Sequence, residues 1–143
     1  MESIESGPKQ PTGNSSVSFS HKRPWEFPEG TVFVQTLSFP LDRTNPDLVR
    51  RIETRLLTKQ QGEWAGYSYL WNDEQTDAEL VEQRGTKKVI SVNDGGSTQQ
   101  QTWHVPSRSQ CMSCHARQAG FVLGFSLFQL NRDEIGEHQS KNR

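Results

Sequence analysis

The segment RIETRLLTKQQGEWAGYSYLW, residues 51–71, has the pattern of two antiparallel strands joined by a tight turn. Ile52 and Leu56 alternate with charged residues over 51–58, which is the period-two pattern of a half-buried strand. Residues 63–71 carry an aromatic ring at several alternate positions after Gly62, so they predict the partner strand and its turn. We expect the charged side chains of the first strand to face solvent or a polar pocket.

Three further segments extend this hairpin into a sheet. Residues 31–39, TVFVQTLSF, are rich in β-branched and aromatic residues and end at Pro40, which predicts one strand. Residues 86–92 and 99–105 flank the turn sequence Asn-Asp-Gly-Gly and predict a second hairpin.

Capping-box spacings predict the helices. Thr76 with Glu79 predicts a short helix over residues 77–82, and Ser107 with Gln110 places a helix start just after Pro106. A third spacing, at 126 and 129, predicts another short helix near the end of the chain. The expected fold class is α+β: a mainly antiparallel β-sheet of about five strands, followed by short C-terminal helices.

Length and composition indicate one domain. The chain has 143 residues, and its first 24, rich in Ser, Gly, Pro and Gln, are expected to be a disordered or linker lead-in. The domain is expected over 25–136, with a tail over 137–143. A formal net charge of -1 with scattered basic residues argues against a nucleic-acid partner. No apolar run approaches the roughly 20 residues of a membrane span.

The two cysteines of the chain occur together in Cys111-Met112-Ser113-Cys114-His115. This is the Cys-x-x-Cys-His spacing of c-type haem attachment, in which two thiols form thioethers and the histidine is an axial iron ligand. Three alternatives fit less well: a redox Cys pair, a structural disulfide, and a zinc site that recruits His104 or His138. We therefore expect haem c at Cys111, Cys114 and His115, with His115 as the metal ligand.

The sixth iron ligand is left open by the sequence. Met1 and Met112 are the only methionines, and neither is placed to reach the distal face of the haem. His104 and His138 are candidates, although each is more simply read as an exposed or hydrogen-bonded imidazole. A five-coordinate iron and a ligand from outside the chain also remain open.

Residues close to the motif are candidates for the haem surroundings. The apolar segment over 120–125 follows the motif directly, and its glycines would allow close approach to a flat cofactor, so Phe121 and Leu123 are expected to form a wall. Arg108 and Arg55 are candidates to pair with haem propionates, because a guanidinium matches a carboxylate in a bidentate geometry.

From about Trp25 onward the chain resembles the haem-binding segment of large, multi-part extracytoplasmic bacterial proteins. The resemblance is carried by RIETRLL at 51–57 and PSRSQCMSCH at 106–115, with FPEGTVFVQTL at 27–37 and QLNRD at 129–133. It implies haem attachment at Cys111, Cys114 and His115, and a longer parent chain of which this one is an excised piece. In layout alone the chain is similar to β-sheet cytochromes c-prime and to hydroxylamine-oxidising relatives with a lysine-crosslinked haem.

These observations predict a c-type cytochrome domain that relays single electrons to a redox partner protein or to an adjacent domain of a longer chain. The alternative is a five-coordinate haem module that binds or transforms a small ligand such as nitric oxide, carbon monoxide or a peroxide. A non-haem interaction module with a structural Cys pair is a third possibility. Catalytic activity is left open, and a periplasmic or otherwise extracytoplasmic location is expected.

Overall fold

The computed structural model describes residues 15–126 and residue 130. The elements are β1 Val32–Pro40, β2 Val49–Gln60, β3 Glu63–Trp71, β4 Ala78–Leu80, β5 Thr86–Asn93, β6 Thr98–Val105, α1 Arg108–Cys114 and a 3-10 turn Arg117–Ala119. Four antiparallel strands form one sheet in the order β1-β2-β3-β4, and two more form a separate antiparallel pair, β5-β6. The mainly antiparallel β architecture with a short helix after it is thus confirmed, as six strands in two sheets rather than about five in one. The second C-terminal helix, expected to start at the capping box of residues 126 and 129, falls largely outside the described residues.

The hairpin of β2 and β3 has the tight turn that the sequence predicts. Gln60 pairs with Glu63, which leaves Gln61 and Gly62 as a two-residue loop, and both have positive φ, 54° and 77°. Positive φ at both central positions is the type I′ turn, whose twist matches the flanking strands. The Glu29 carboxylate accepts hydrogen bonds from the backbone N–H groups of Gln61 and Gly62, which holds the turn from outside.

The helix predicted over residues 77–82 is wrong. The chain there forms the edge strand β4, in which Glu79 pairs with Leu70 of β3. The side chain of Asn72 accepts hydrogen bonds from the backbone N–H groups of Thr76 and Asp77, at 2.9 and 3.2 Å, and so turns the chain back along β3. The free edge of β3 offers backbone partners, and this pairing overrides the weak local helix preference.

A β-bulge in β2 changes which of its side chains face inward. Leu37 pairs with Glu53 but the next residue of β1 pairs with Arg51, so Ile52 is the extra residue. Because a bulge interrupts the alternation, two consecutive residues, Ile52 and Glu53, are both buried. Glu53 is 0% exposed, so the charged side of this strand does not all face solvent.

Two apolar clusters form the core. The first, which we call the aromatic cluster, consists of Phe27, Leu57, Trp64 and Val122, with partly buried residues packed around it. The second consists of Ile52, Ile90 and Val92 and joins the β5-β6 pair to the larger sheet. Helix α1 packs on β3, beside the aromatic cluster. Within residues 15–126 and 130, no helix has the length and apolar character needed to cross a bilayer.

Candidate functional site

Helix α1 begins where the sequence predicts, at a complete capping box. The Ser107 hydroxyl accepts from the backbone N–H of Gln110 at 3.2 Å, and the Gln110 side chain accepts from the backbone N–H of Ser107 at 2.8 Å. A further bond, from the Arg108 N–H to the Gln83 carbonyl at 3.0 Å, ties the first turn to the chain leaving β4. These bonds satisfy donors that a helix start otherwise leaves unpaired, and they fix the helix that carries both cysteines.

The two thiols are free and lie in unequal environments. Cys111 is partly buried, whereas Cys114 is exposed. Cys111 packs over Gly66 of β3 so closely that a Cβ at Gly66 would lie 2.8 Å from the Cys111 Cβ and 3.3 Å from its Sγ. Burial raises the pKa of the Cys111 thiol, an effect that the nearby Arg55 opposes and that Glu53 reinforces. In this arrangement Cys111 keeps its proton to higher pH than an ordinary thiol.

The imidazole of His115 is held by a backbone carbonyl. Its Nδ1 lies 2.7 Å from the carbonyl oxygen of Phe121, a separation that requires Nδ1 to carry the proton and donate it. The Nε2 lone pair is then available to a metal, as in histidine ligands oriented by a second hydrogen bond. The sequence contains the motif but does not reveal this partner.

The loop that supplies this carbonyl has an unusual backbone. Phe121 has a φ angle of 62°, in the left-handed region that residues other than glycine rarely adopt, and the preceding residue, Gly120, has a φ angle of 68°. The Phe121 N–H donates to the Ala116 carbonyl at 3.0 Å and the Val122 N–H donates to the Gly120 carbonyl at 2.7 Å. Two consecutive left-handed residues turn the chain back toward α1 and so bring the Phe121 carbonyl to His115.

The segment expected to form a wall divides its side chains between core and solvent. Val122 is buried in the aromatic cluster, and Phe121 packs against that cluster. Leu123, by contrast, is 46% exposed. Phe121 therefore contacts His115 through its backbone carbonyl, whereas the Leu123 side chain lies largely in solvent.

The two candidate arginines differ in how far they are engaged. Arg55 donates to both carboxylate oxygens of buried Glu53, at 2.7 and 3.0 Å, so its guanidinium already has a bidentate carboxylate partner. The Arg108 guanidinium lies over the Tyr67 ring, 4.6 Å from its centroid, and its Nε is buried without a hydrogen-bond partner. Of the two, Arg108 keeps donor capacity for a further group.

Glu53 also lies near the site, beside Arg55, although its position in the sequence pattern predicted an outward side chain. Its carboxylate also accepts from the Trp103 indole N–H at 2.9 Å, so the carboxylate links β2 to β6. The alternation of β2 suggested an outward side chain, and only the bulge at Ile52 turns it inward. No local sequence signal marks that bulge.

The candidates for the sixth iron ligand are dispersed. Met112 packs against the aromatic cluster, and His104 lies on β6 opposite Lys87 with its side chain exposed. Met1 and His138 lie outside the described residues. Among residues 15–126 and 130, no three His, Cys, Asp or Glu side chains come together as a metal site, so the zinc alternative has no ligand set there.

The arrangement therefore combines two free thiols on one short helix with an imidazole whose Nδ1 is bonded and whose Nε2 is available. Such a set suits covalent attachment of a group by its thiols and axial ligation by its histidine. A comparison of the chain with protein-family models, with curated proteins and with solved structures finds no match.

Proposed function

We propose that this chain is a c-type cytochrome domain that binds one haem covalently through Cys111 and Cys114 and relays single electrons. The observation that carries the proposal is the 2.7 Å hydrogen bond between His115 Nδ1 and the Phe121 carbonyl, directly after the Cys-x-x-Cys pair. Histidine ligands of metals usually donate their second ring N–H to a carbonyl or carboxylate, which fixes the tautomer and the direction of the Nε2 lone pair. The haem would supply the one-electron chemistry, and the chain would supply attachment, axial ligation and burial.

Two further features near α1, an unpaired donor and an exposed apolar side chain, are compatible with a bound haem. The Arg108 Nε is buried without a partner, and such a donor is costly unless an acceptor such as a propionate oxygen satisfies it. Leu123 exposes a large apolar side chain close in sequence to the motif, which a flat apolar cofactor would shield. Arg55 is the weaker propionate candidate, because Glu53 already occupies its guanidinium.

A five-coordinate haem that binds a small ligand is the second candidate function. It is favoured by the position of Met112, whose side chain packs in the aromatic cluster instead of facing an open site. His104 is exposed on β6, where it lies opposite Lys87 of β5. An open sixth position admits a diatomic molecule without displacing a protein ligand.

The expected setting also belongs to the proposal. Covalent attachment of haem to a Cys pair takes place outside the cytoplasmic membrane, so we place the protein in the periplasm or an equivalent compartment. The resemblance of RIETRLL and PSRSQCMSCH to segments of multi-part extracytoplasmic proteins supports this setting. The electron partner would be a separate redox protein or an adjacent domain of a longer chain.

Haem staining of denaturing gels tests the attachment. Protein produced with haem-attachment machinery should stain, and the double variant Cys111→Ala, Cys114→Ala should not, because no thioether can form. Ser113→Ala is the matched control, since Ser113 lies between the same two cysteines, is exposed and should leave staining unchanged. Staining that survives in the double variant would contradict the proposal.

Absorption spectra of the reduced protein separate the two functions. With an open sixth position, carbon monoxide should shift the Soret band without any mutation. His115→Ala should keep the covalent haem but change the spin state of the iron, because thioether bonds and axial ligation are independent. A low-spin spectrum that carbon monoxide does not alter would instead favour electron transfer through a six-coordinate haem.

A further inference from the structure

A groove with a volume of about 360 Å³ lies beside the loop that holds His115. Its walls come from residues 23–27, from the end of the β2-β3 hairpin, and from residues 117–121. Pro24 and Gly120 both line it and approach each other closely, because a Cβ at Gly120 would lie 2.5 Å from the Pro24 Cβ. A volume of this order falls within the range of sites for small organic molecules.

The groove carries an excess of positive charge. Arg23, Lys59 and Arg117 line it, against a single carboxylate, Glu26. Within the described part of the chain, the side chains of Arg23 and Arg117 have neither an ion pair nor a hydrogen bond. Lys59 is anchored, since its Nζ donates to the Phe27 carbonyl at 2.7 Å. Two guanidinium groups are thus free to bind an anion.

The remaining lining is aromatic. Trp25, Phe27, Trp64 and Phe121 all contribute to it, and they belong to the aromatic cluster or pack against it, so their rings are held in place. The Trp25 indole Nε1 is buried and has no hydrogen-bond acceptor within the described residues. A buried N–H without an acceptor is destabilising until a ligand or a water supplies one.

We propose that this groove binds carboxylate groups carried on a planar aromatic body. The aromatic rings would contact the flat face of the ligand, and Arg23, Arg117 and the Trp25 N–H would donate to the carboxylates. Guanidinium groups suit carboxylates because they donate two parallel hydrogen bonds. The neutral amide of the same aromatic body would keep the apolar contacts and one carbonyl acceptor, but it would lose the charge and the second oxygen that bidentate pairing with a guanidinium needs.

Such a carboxylate has two sources. One is a propionate of the haem proposed at Cys111 and Cys114, namely the propionate that Arg108 does not bind, and this source rests on the proposed function. It is supported by Phe121, which lines the groove and also accepts the His115 hydrogen bond. The other source is a separate small aromatic acid, which does not depend on haem at all.

Calorimetric titration of the full chain tests the site, with benzoate as the probe and benzamide as its uncharged counterpart. In the haem-free double variant Cys111→Ala, Cys114→Ala, benzoate should bind at least tenfold more tightly than benzamide. Arg117→Gln and Arg23→Gln should each weaken benzoate binding by about tenfold, the effect of one charge-assisted hydrogen bond. Arg84→Gln is the matched control, because Arg84 is exposed, pairs with Glu82 and does not line the groove.

The haem-loaded chain distinguishes the two sources. If a haem propionate occupies the groove, attached haem should abolish benzoate binding, and Arg117→Gln should shift the midpoint potential while haem staining stays unchanged. If the ligand is separate, haem-loaded and haem-free protein should bind benzoate equally. Equal affinity for benzoate and benzamide, or benzoate binding indifferent to both arginine variants, would overturn the groove proposal whatever the haem staining shows.

Discussion

Replacing Gly66 with alanine tests the close contact between β3 and α1. The added Cβ would lie 2.8 Å from the Cys111 Cβ, about 0.6 Å short of the 3.4 Å at which ordinary contact begins. Overpacking of this kind costs about 1–3 kcal/mol, and the better strand preference of alanine returns about 0.5–1 kcal/mol. Urea unfolding of the haem-free protein should therefore show a net loss of about 1 kcal/mol for Gly66→Ala.

The same substitution in a Cys111→Gly background is its control. Glycine at 111 removes both atoms that the new methyl group meets, so Gly66→Ala should become neutral or stabilising by about 0.5 kcal/mol. A double-mutant cycle isolates this contact from the helix cost of glycine at 111. An equal penalty in both backgrounds would show that Cys111 does not pack on Gly66 and would refute the reasoning.

Two further outcomes follow from the buried groups near the site. Glu53→Ala should lower the free energy of unfolding by about 2 kcal/mol, because it leaves the Trp103 indole N–H without its acceptor and removes the bidentate partner of Arg55. Glu82→Ala, in an exposed pair of similar length, should change little. Similar losses for both would mean that Glu53 is solvated. Iodoacetamide should label Cys114 before Cys111 in haem-free protein, and labelling of Cys111 should rise only at higher pH, because burial raises its pKa and the thiolate is the reactive form. Mass spectrometry of the labelled peptides measures the two rates, and equal rates would contradict the prediction.

Much of the fold could be predicted because the chain carries its signals locally. Alternation and turn residues defined both hairpins, and the Ser107 capping box placed the start of α1 correctly. The errors arose where a long-range partner decided the outcome. The open edge of β3 pairs with β4. The bulge at Ile52 turns Glu53 inward, where the Trp103 indole N–H donates a hydrogen bond to its carboxylate.

The candidate site divides in the same way. The spacing of Cys111, Cys114 and His115 is a local pattern and could be read directly. The partner of His115 could not, because the Phe121 carbonyl reaches the ring only through a left-handed backbone turn that its side chain disfavours. Gly120 and Gly124, in the same segment as Phe121, were the available hint, and they indicated an unusual backbone without saying which carbonyl it would present.

The order of the elements along the chain has a consequence for how the protein is made. All six strands precede α1, and each sheet is built from neighbours in sequence joined by short connections. Contacts between near neighbours form quickly, and a chain synthesised from its N-terminus can assemble them in turn. The surface around Gly66 is thus available as soon as Cys111 emerges, so docking of α1 can bury the Cys111 thiol before an external oxidant joins it to exposed Cys114 in a disulfide.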